Sequence, residues 1–166
     1  GTALGVLEAV KAGTTTFGEI GGDMGAAAEN VFIPSGVRAN LANTINEIGH
    51  GSRPDANKPY IFYEDVGETR FREALELIER YDGTGDGRIT CILAPHGADM
   101  MSRELLLRVK EKASELGKLA HIHVAQGGRE EIQMRLRYGT TTIRYLDSIG
   151  YLDDGLIAAH CHQTTD

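Results

Sequence analysis

Leu119–Gln126, reading LAHIHVAQ, is the stretch on which the fold turns. Leu119, Ala120, Ile122, Val124 and Ala125 are apolar, and two of them are β-branched, which predicts a buried strand. His121 and His123 are two residues apart, and on a strand that spacing sets both on one face. Gly127 and Gly128 end the strand, and Arg129, Glu130 and Glu131 open a charged helical pattern. Imidazoles at the C-terminal end of a strand, just before a loop and a helix, sit where βα proteins place their chemistry. The same pair also reads as hydrogen-bonded core or rim histidines, and the surrounding chain has to decide between the two.

On the C-terminal side, Ile132 and Leu136 mark a helix ending near Gly139. A short helix is predicted from Thr142 to Ile149, and a strand over Leu156–Ala159 ends in His160-Cys161-His162. On the N-terminal side, Ser102 caps a helix carrying Leu105, Leu106, Val109, Ala113 and Leu116, which stops at Gly117. Before it, Ile89–Leu93 is a strand that runs into Ala94-Pro95-His96-Gly97. Asp82–Gly87 is a turn; it faintly resembles a calcium loop but lacks the closing bidentate Glu. Phe71, Leu75 and Ile78 give a helix over Thr69–Tyr81. The least patterned stretch, 43–65, holds Gly49, Gly51, Pro54 and Pro59; it predicts a long loop with an ordered piece at Tyr60–Tyr63. Further back come a strand over Val37–Ala42 and a helix over Ala26–Val31 stopped by Pro34 and Gly36. Thr14–Phe17 is a strand leading to Glu19. Residues 2–12 form a helix with Thr2 as N-cap and Gly13 just past its end.

Strand and helix therefore alternate five times, which argues for an α/β fold of parallel βα repeats. A closed (β/α)8 barrel needs eight strands and about 250 residues. The 166-residue chain is either an open five-stranded domain or part of such a barrel. No GxGxxG and no GKS/T loop stands at a strand–helix junction, so dinucleotide and P-loop folds gain no support.

By size this is a single domain over 1–166, able to bury roughly 70% of its unfolded surface. Seventeen basic against 24 acidic residues give a net charge of −7. That argues against nucleic acid or an anionic membrane as the main partner. Cys91 and Cys161 both fall in expected core strands and read as reduced thiols of a cytoplasmic protein. No run approaches the ~18 apolar residues of a membrane span, and no signal-peptide pattern precedes Gly1. The chain does not begin with Met, and both ends read as cut.

Five of the six histidines fall at strand ends: His96, His121, His123, His160 and His162. In a parallel sheet those ends share one edge, so the imidazoles are expected to meet in one pocket. Imidazole suits zinc or another borderline cation, and a bound ion with an open position lowers the pKa of its water. A nearby carboxylate would then move the proton. Glu19 and Asp166 are the candidates, although each also reads as a solvated loop residue.

HIHVAQ (121–126), followed about 35 residues on by AAHCHQTTD (158–166), resembles strands five and six of the amidohydrolase superfamily. The similarity is to its aminohydrolase branch, with S-adenosylhomocysteine and methylthioadenosine deaminases, guanine deaminases and triazine hydrolases, where strand five reads like HIHLAE and strand six like AAHC. LAPHGADMMSRELL (93–106) resembles the strand-four segment APHAPYTCSPELL. LEAVKAGTTTFGE (7–19) is similar to the helix entering strand two, and SGVRANLAN (35–43) to strand three. The resemblance covers nearly the whole chain. It implies barrel strands two to six of a metal-dependent (β/α)8 barrel, incomplete at both ends. The implied reaction is hydrolysis of a C–N bond on an amino-substituted heteroaromatic ring, with zinc or another divalent metal such as iron.

The resemblance also assigns roles. His123 matches a metal ligand, His160 a catalytic histidine that contacts or approaches the metal, and His96 a substrate contact. Gln126 stands where the family usually has a proton-moving glutamate, and glutamine is neither acid nor base. His121 becomes a supporting residue, and His162 matches no role. The resemblance places an HxH pair before Gly1 and a metal-binding aspartate after Asp166. The 166-residue chain alone is therefore expected to hold zinc weakly. It is also expected to self-associate or to sit against the rest of its own barrel. Two other readings stay open: a non-enzymatic α/β domain or inactive fragment, and a dehalogenating or cyclic-amide hydrolase on the same barrel.

Overall fold

Five parallel strands lie side by side in the order in which the chain makes them. In the computed structural model, which describes residues 1–49 and 54–164, β1 (Thr16–Gly21) pairs with β2 (Arg38–Ile45) from Thr16↔Arg38 to Gly21↔Asn43. The third strand is split into β3 (Ile89–Cys91) and β4 (Ala94–Pro95), both paired with β2. Across the break Ile92 N–H donates to the Leu41 carbonyl at 3.1 Å. β5 (Ala120–Val124) joins through parallel bridges Leu93↔Ala120 and Gly97↔His123. It then pairs with β6 (Leu156–His160) from Ala120↔Leu156 to Val124↔His160.

This order decides between the two architectures. An open doubly wound sheet reverses its strand order at a switch point, and here no reversal occurs. The two faces of the sheet also differ. Leu41, Ile89, Leu93 and Ile122, all fully buried, face a helical layer through Phe32 and Leu106. The other face carries the small separate cluster Ala42, Ile92 and Ala94 with Ile20 and Ile157. Helices on one side and a narrow apolar interior on the other are the layering of a (β/α)8 barrel.

The helices follow from local chemistry, with informative departures. α1 (Thr2–Lys11) has Gly1, not Thr2, at its N-cap and no side-chain cap; Gly13 follows it at φ 98. The next helical path runs through α2 (Met24–Ala27), a wider π turn at Ala28–Phe32 and α3 (Ile33–Ser35). It opens at Asp23, whose side chain accepts from Ala26 N–H at 3.0 Å. Pro34 does not stop this path. It lies within the path, directly after the π turn at Ala28–Phe32, and left-handed Gly36 (φ 74) ends the path instead.

α4 (Glu64–Tyr81) starts five residues before the expected Thr69, on an acidic first turn that suits a helix N-terminus. α5 (Thr84–Gly87) is a single tight turn in which Gly85 and Asp86 are left-handed. α6 (Arg103–Glu115) is capped by Ser102, whose hydroxyl accepts from Leu105 N–H at 3.2 Å. α7 (Gly128–Tyr138) and α8 (Thr142–Ser148) follow β5.

The long loop begins after Ile45 rather than Ala42, and its ordered piece is pinned by an antiparallel bridge Ile48↔Phe62. Gly51, expected within that loop, lies outside the described residues, as does Asp166. Cys91 is buried in β3, and burial pushes its thiol up to about 12. Cys161, expected in a core strand, is instead exposed beyond the end of β6.

Candidate functional site

Strand alternation builds the site. On β5, Ala120, Ile122 and Val124 are buried while His121 and His123 alternate with them toward the barrel interior. His96 follows β4 on the face shared by Ile92 and Ala94. Its N–H donates to the Ile45 carbonyl at 2.8 Å, and its carbonyl accepts from His123 N–H at 3.1 Å. These ladder bonds bring the two imidazoles together, with ring centroids 5.1 Å apart. His121 lies 5.4 Å from His123, edge on.

His160 arrives by a different route. Its register partner is Val124, which packs under the helices, so a regular strand would turn His160 away from the mouth. The backbone leaves the strand there: His160 has φ 71 and Cys161 φ 51. Left-handed non-glycine residues are costly and cluster where function holds them. The result sets the His160 ring 5.2 Å from that of His123. His162 stands 6.0 Å beyond His160, edge on. The imidazoles of three successive strand ends therefore do converge.

Glu19 does not join them. It shares the face of Phe17 and Leu41, which points at the helical layer. Alternation along β1 thus removes it as the carboxylate beside the histidines.

Burial pushes His96 down to about 4, with the neighbouring His123 and then Arg70 adding to the effect. His121 and His123 are also lowered, first by burial and then by adjacent imidazoles. Neutral imidazole is the form that binds a metal. The Nδ1 atoms of His121 and His123 are buried and without a hydrogen-bond partner. Orphaned nitrogens beside a second ring at 5.2 Å fit a divalent cation shared by His123 and His160. Among the described residues no group of three or more His, Cys, Asp or Glu side chains could hold a metal ion. Catalytic zinc takes three protein ligands, so His123 and His160 fit as part of a ligand set.

Gln126 follows the strand-five turn, where Ala125 is left-handed at φ 50. A buried carboxylate holds this turn. Glu130, 2% exposed, accepts from Ala125 N–H and Gln126 N–H, each at 2.8 Å, and from the Thr142 hydroxyl. Sequence reasoning does not single out Glu130, yet it lies three residues past Gly127, the N-cap of α7, which is the spacing of a capping box.

Asp99, three residues after His96, is a second residue that sequence reasoning misses. It is 2% exposed, its Oδ1 has no partner, and burial with nearby Glu130 pushes its carboxyl up to about 7. Gly97 makes room for it: a Cβ there would meet Asp99 Oδ1 at 2.7 Å. Glu47 is buried as well; its carboxylate accepts from Ser102 N–H and its own N–H donates to the Met100 carbonyl at 2.9 Å.

Comparison with known proteins bears on the family and the fold. The profile described as "Amidohydrolase family" matches residues 1–166. The chain is 33% identical, over 100% of its length, to 5-methylthioadenosine/S-adenosylhomocysteine deaminase of Moorella thermoacetica, of which it covers 35%. It is 31% identical over 100% of its length to 5′-deoxyadenosine deaminase of Methanosarcina barkeri, again covering 35% of that protein. Among solved structures, an adenosine deaminase from Xanthomonas campestris with bound zinc superposes with a TM-score of 0.76 at 26% identity. That match covers 99% of this chain and 34% of the other. Atrazine chlorohydrolase from Arthrobacter aurescens, complexed with zinc, matches at TM-score 0.76 and 20% identity over 96% of this chain and 36% of that one. The chain thus spans about a third of the length of the relatives it matches.

Proposed function

The chain belongs to the amidohydrolase family, and from that footing we propose that it carries the middle of a metal-dependent hydrolase site acting on the C–N bond of an amino-substituted heteroaromatic ring. The observation that carries this reading is the convergence of His96, His123 and His160 from three successive strand ends. The names of the similar deaminases supply the substrate class. His123 and His160 would hold the divalent cation, zinc before iron, given the zinc in the similar adenosine deaminase structure. That ion supplies Lewis-acid activation of the hydrolytic water.

The chain's own residues do the rest. His96, held neutral by burial, is a hydrogen-bonding wall for the ring rather than a charged one. His160 orients the water, and the Glu130-held turn fixes where Gln126 presents its carboxamide. The protein acts on a small heterocyclic molecule and works in the cytoplasm, a compartment that its two free cysteines suit. Among the described residues no helix is long and apolar enough to cross a membrane.

Gln126 favours a second reading. An amine leaves a tetrahedral carbon only with a proton delivered to it, and a carboxamide delivers none. A halide leaves as the anion. The same histidines with Gln126 would therefore suit hydrolytic dehalogenation of a ring.

One assay separates the two. The purified chain, supplied with the remainder of its barrel and with zinc, is incubated with 5′-deoxyadenosine, aminopyrimidines, pterins or a chlorotriazine, and ammonia and chloride are measured. Ammonia release that is lost in His123→Ala and raised about 100-fold in Gln126→Glu, the scale of general acid–base catalysis, is the expected result. Chloride without ammonia would transfer the assignment to the second reading. Neither product, or ammonia indifferent to His123→Ala, overturns both.

A further inference from the structure

The segment 54–62, returning from the long loop after β2, is fastened to α7 by one stripe of side chains. Gln133 is 0% exposed. Its Oε1 accepts from Tyr60 N–H at 2.9 Å, and its Nε2 donates to the Ala56 carbonyl at 2.6 Å and the Lys58 carbonyl at 2.8 Å. The carboxamide thus acts as a missing strand for a segment with no ladder of its own. One turn earlier, Arg129 donates to the Pro54 carbonyl at 2.6 Å and to the Tyr60 hydroxyl at 3.0 Å. One turn later, Arg137 donates to the Tyr60 carbonyl and covers the Phe62 ring at 4.0 Å. Residues 129, 133 and 137 are spaced i, i+4, i+8 and share a helix face. The first turn of this same helix holds the amides of Ala125 and Gln126 through Glu130.

We infer that Gln133 is a positioning residue: it fixes the 54–62 segment, a wall on the strand-end side of the barrel, relative to the turn that carries Gln126. The inference rests on the proposed function for its catalytic readout only. The segment leaves β2 at its C-terminal end, which is the face where barrels bind substrate. Arg70, which acts on His96, donates to the carbonyls of Asn46 and Ile48 in the first part of the same connection. Ile48, in that first part, is bridged to Phe62, so a displaced segment shifts the connection at the strand-end side without breaking a contact between the histidines.

Two variants test this in the zinc-supplemented chain with the remainder of its barrel supplied. Gln133→Leu keeps the volume and leaves the Tyr60 amide and two carbonyls unpaired. Gln133→Glu faces those carbonyls with a carboxylate and regains a donor only when protonated. Amide hydrogen exchange is expected to speed at least tenfold across 54–62 in the leucine variant while 120–124 stays protected. In the glutamate variant, exchange relative to wild type is expected to return toward unity as the pH is lowered to 5. With 5′-deoxyadenosine as the probe substrate, KM should rise about tenfold in Gln133→Leu with kcat within twofold. Unchanged exchange in the segment overturns the inference, and so does faster exchange with KM unmoved. Should wild type fail to turn over the probe while segment exchange responds as stated, the substrate reading fails and the anchoring role of Gln133 stands.

Discussion

Asp99 gives the sharpest residue-scale consequence. A carboxyl ordinarily titrates near 3.8, and burial raises this one to about 7. Between those values the folded chain binds a proton that the unfolded chain has released. Stability from this group is therefore full below about pH 4 and falls as the pH climbs through 7. The neutral form is the one the fold accepts, because Oδ1 has no donor to stabilise a charge. Asp99→Asn removes the titration and keeps the shape. Each tenfold change in proton affinity is worth about 1.36 kcal/mol. The variant should therefore match wild type near pH 4 and exceed it at pH 8 by up to about 4 kcal/mol. Urea denaturation at the two values reads the difference, and a variant that parallels wild type at both would remove Asp99 as a buried acid. Glu130 escapes sequence reading because an acidic residue at a helix start looks solvated until the amides it serves, those of Ala125 and Gln126 at the end of β5, are known. Asp99 escapes it because an aspartate in a turn reads as a surface residue until the packing that buries it is known. His96, His121 and His123 are legible because period-two alternation and strand ends fix their position without tertiary knowledge, whereas His160 reaches the mouth only through left-handed backbone that no alternation signals.

At the scale of elements, α4 shows what pattern reading misses. Its first turn, Glu64, Asp65, Val66 and Gly67, has a single apolar residue and contains a poor helix former. Packing explains the glycine. A Cβ at Gly67 would meet Glu47 Cγ at 2.6 Å and Leu105 Cδ2 at 2.7 Å. Glu47 cannot swing aside, since its carboxylate holds Ser102 N–H and its carbonyl accepts from Tyr63 N–H at 2.8 Å. Gly67→Ala gains about 1 kcal/mol of helix propensity and incurs an overpacking cost of about 1–3 kcal/mol, so the net change should be destabilising. Gly5, in α1, has nothing within 4 Å of its added Cβ, and Gly5→Ala should stabilise by about 0.5–1 kcal/mol. Thermal melts of the two variants should move in opposite directions; a shared direction would mean that propensity, not the Glu47–Leu105 contact, governs residue 67. The split third strand escapes sequence reading in a similar way, because its hydrogen bonds to β2 set it rather than any local period.

At the scale of the whole molecule, the balance of exposed surface decides behaviour in solution. Among the described residues β1 pairs only with β2, and β6 only with β5, so each has one open edge. Leu4, Leu7 and Val10 lie exposed along α1, the first at 59%. Ile132 and Leu136 are exposed on α7 as well. Open parallel edges and apolar helix faces recruit other chains, and a net charge of −7 opposes this only over a screened distance of about 8 Å at physiological salt. The 166-residue chain alone is therefore proposed to self-associate, or to bind the remainder of its own barrel when that is supplied. Light scattering should give a mass above that of one chain, falling toward one chain in the double variant Leu4→Glu, Leu7→Lys. That variant lies on the far side of the helical layer from the histidines, so it should leave the site unchanged. A sharp single-chain peak for the unmodified protein at tens of micromolar would show that its edges and its α1 face are tolerated by water, and the self-association argument would fall while the histidine geometry stood.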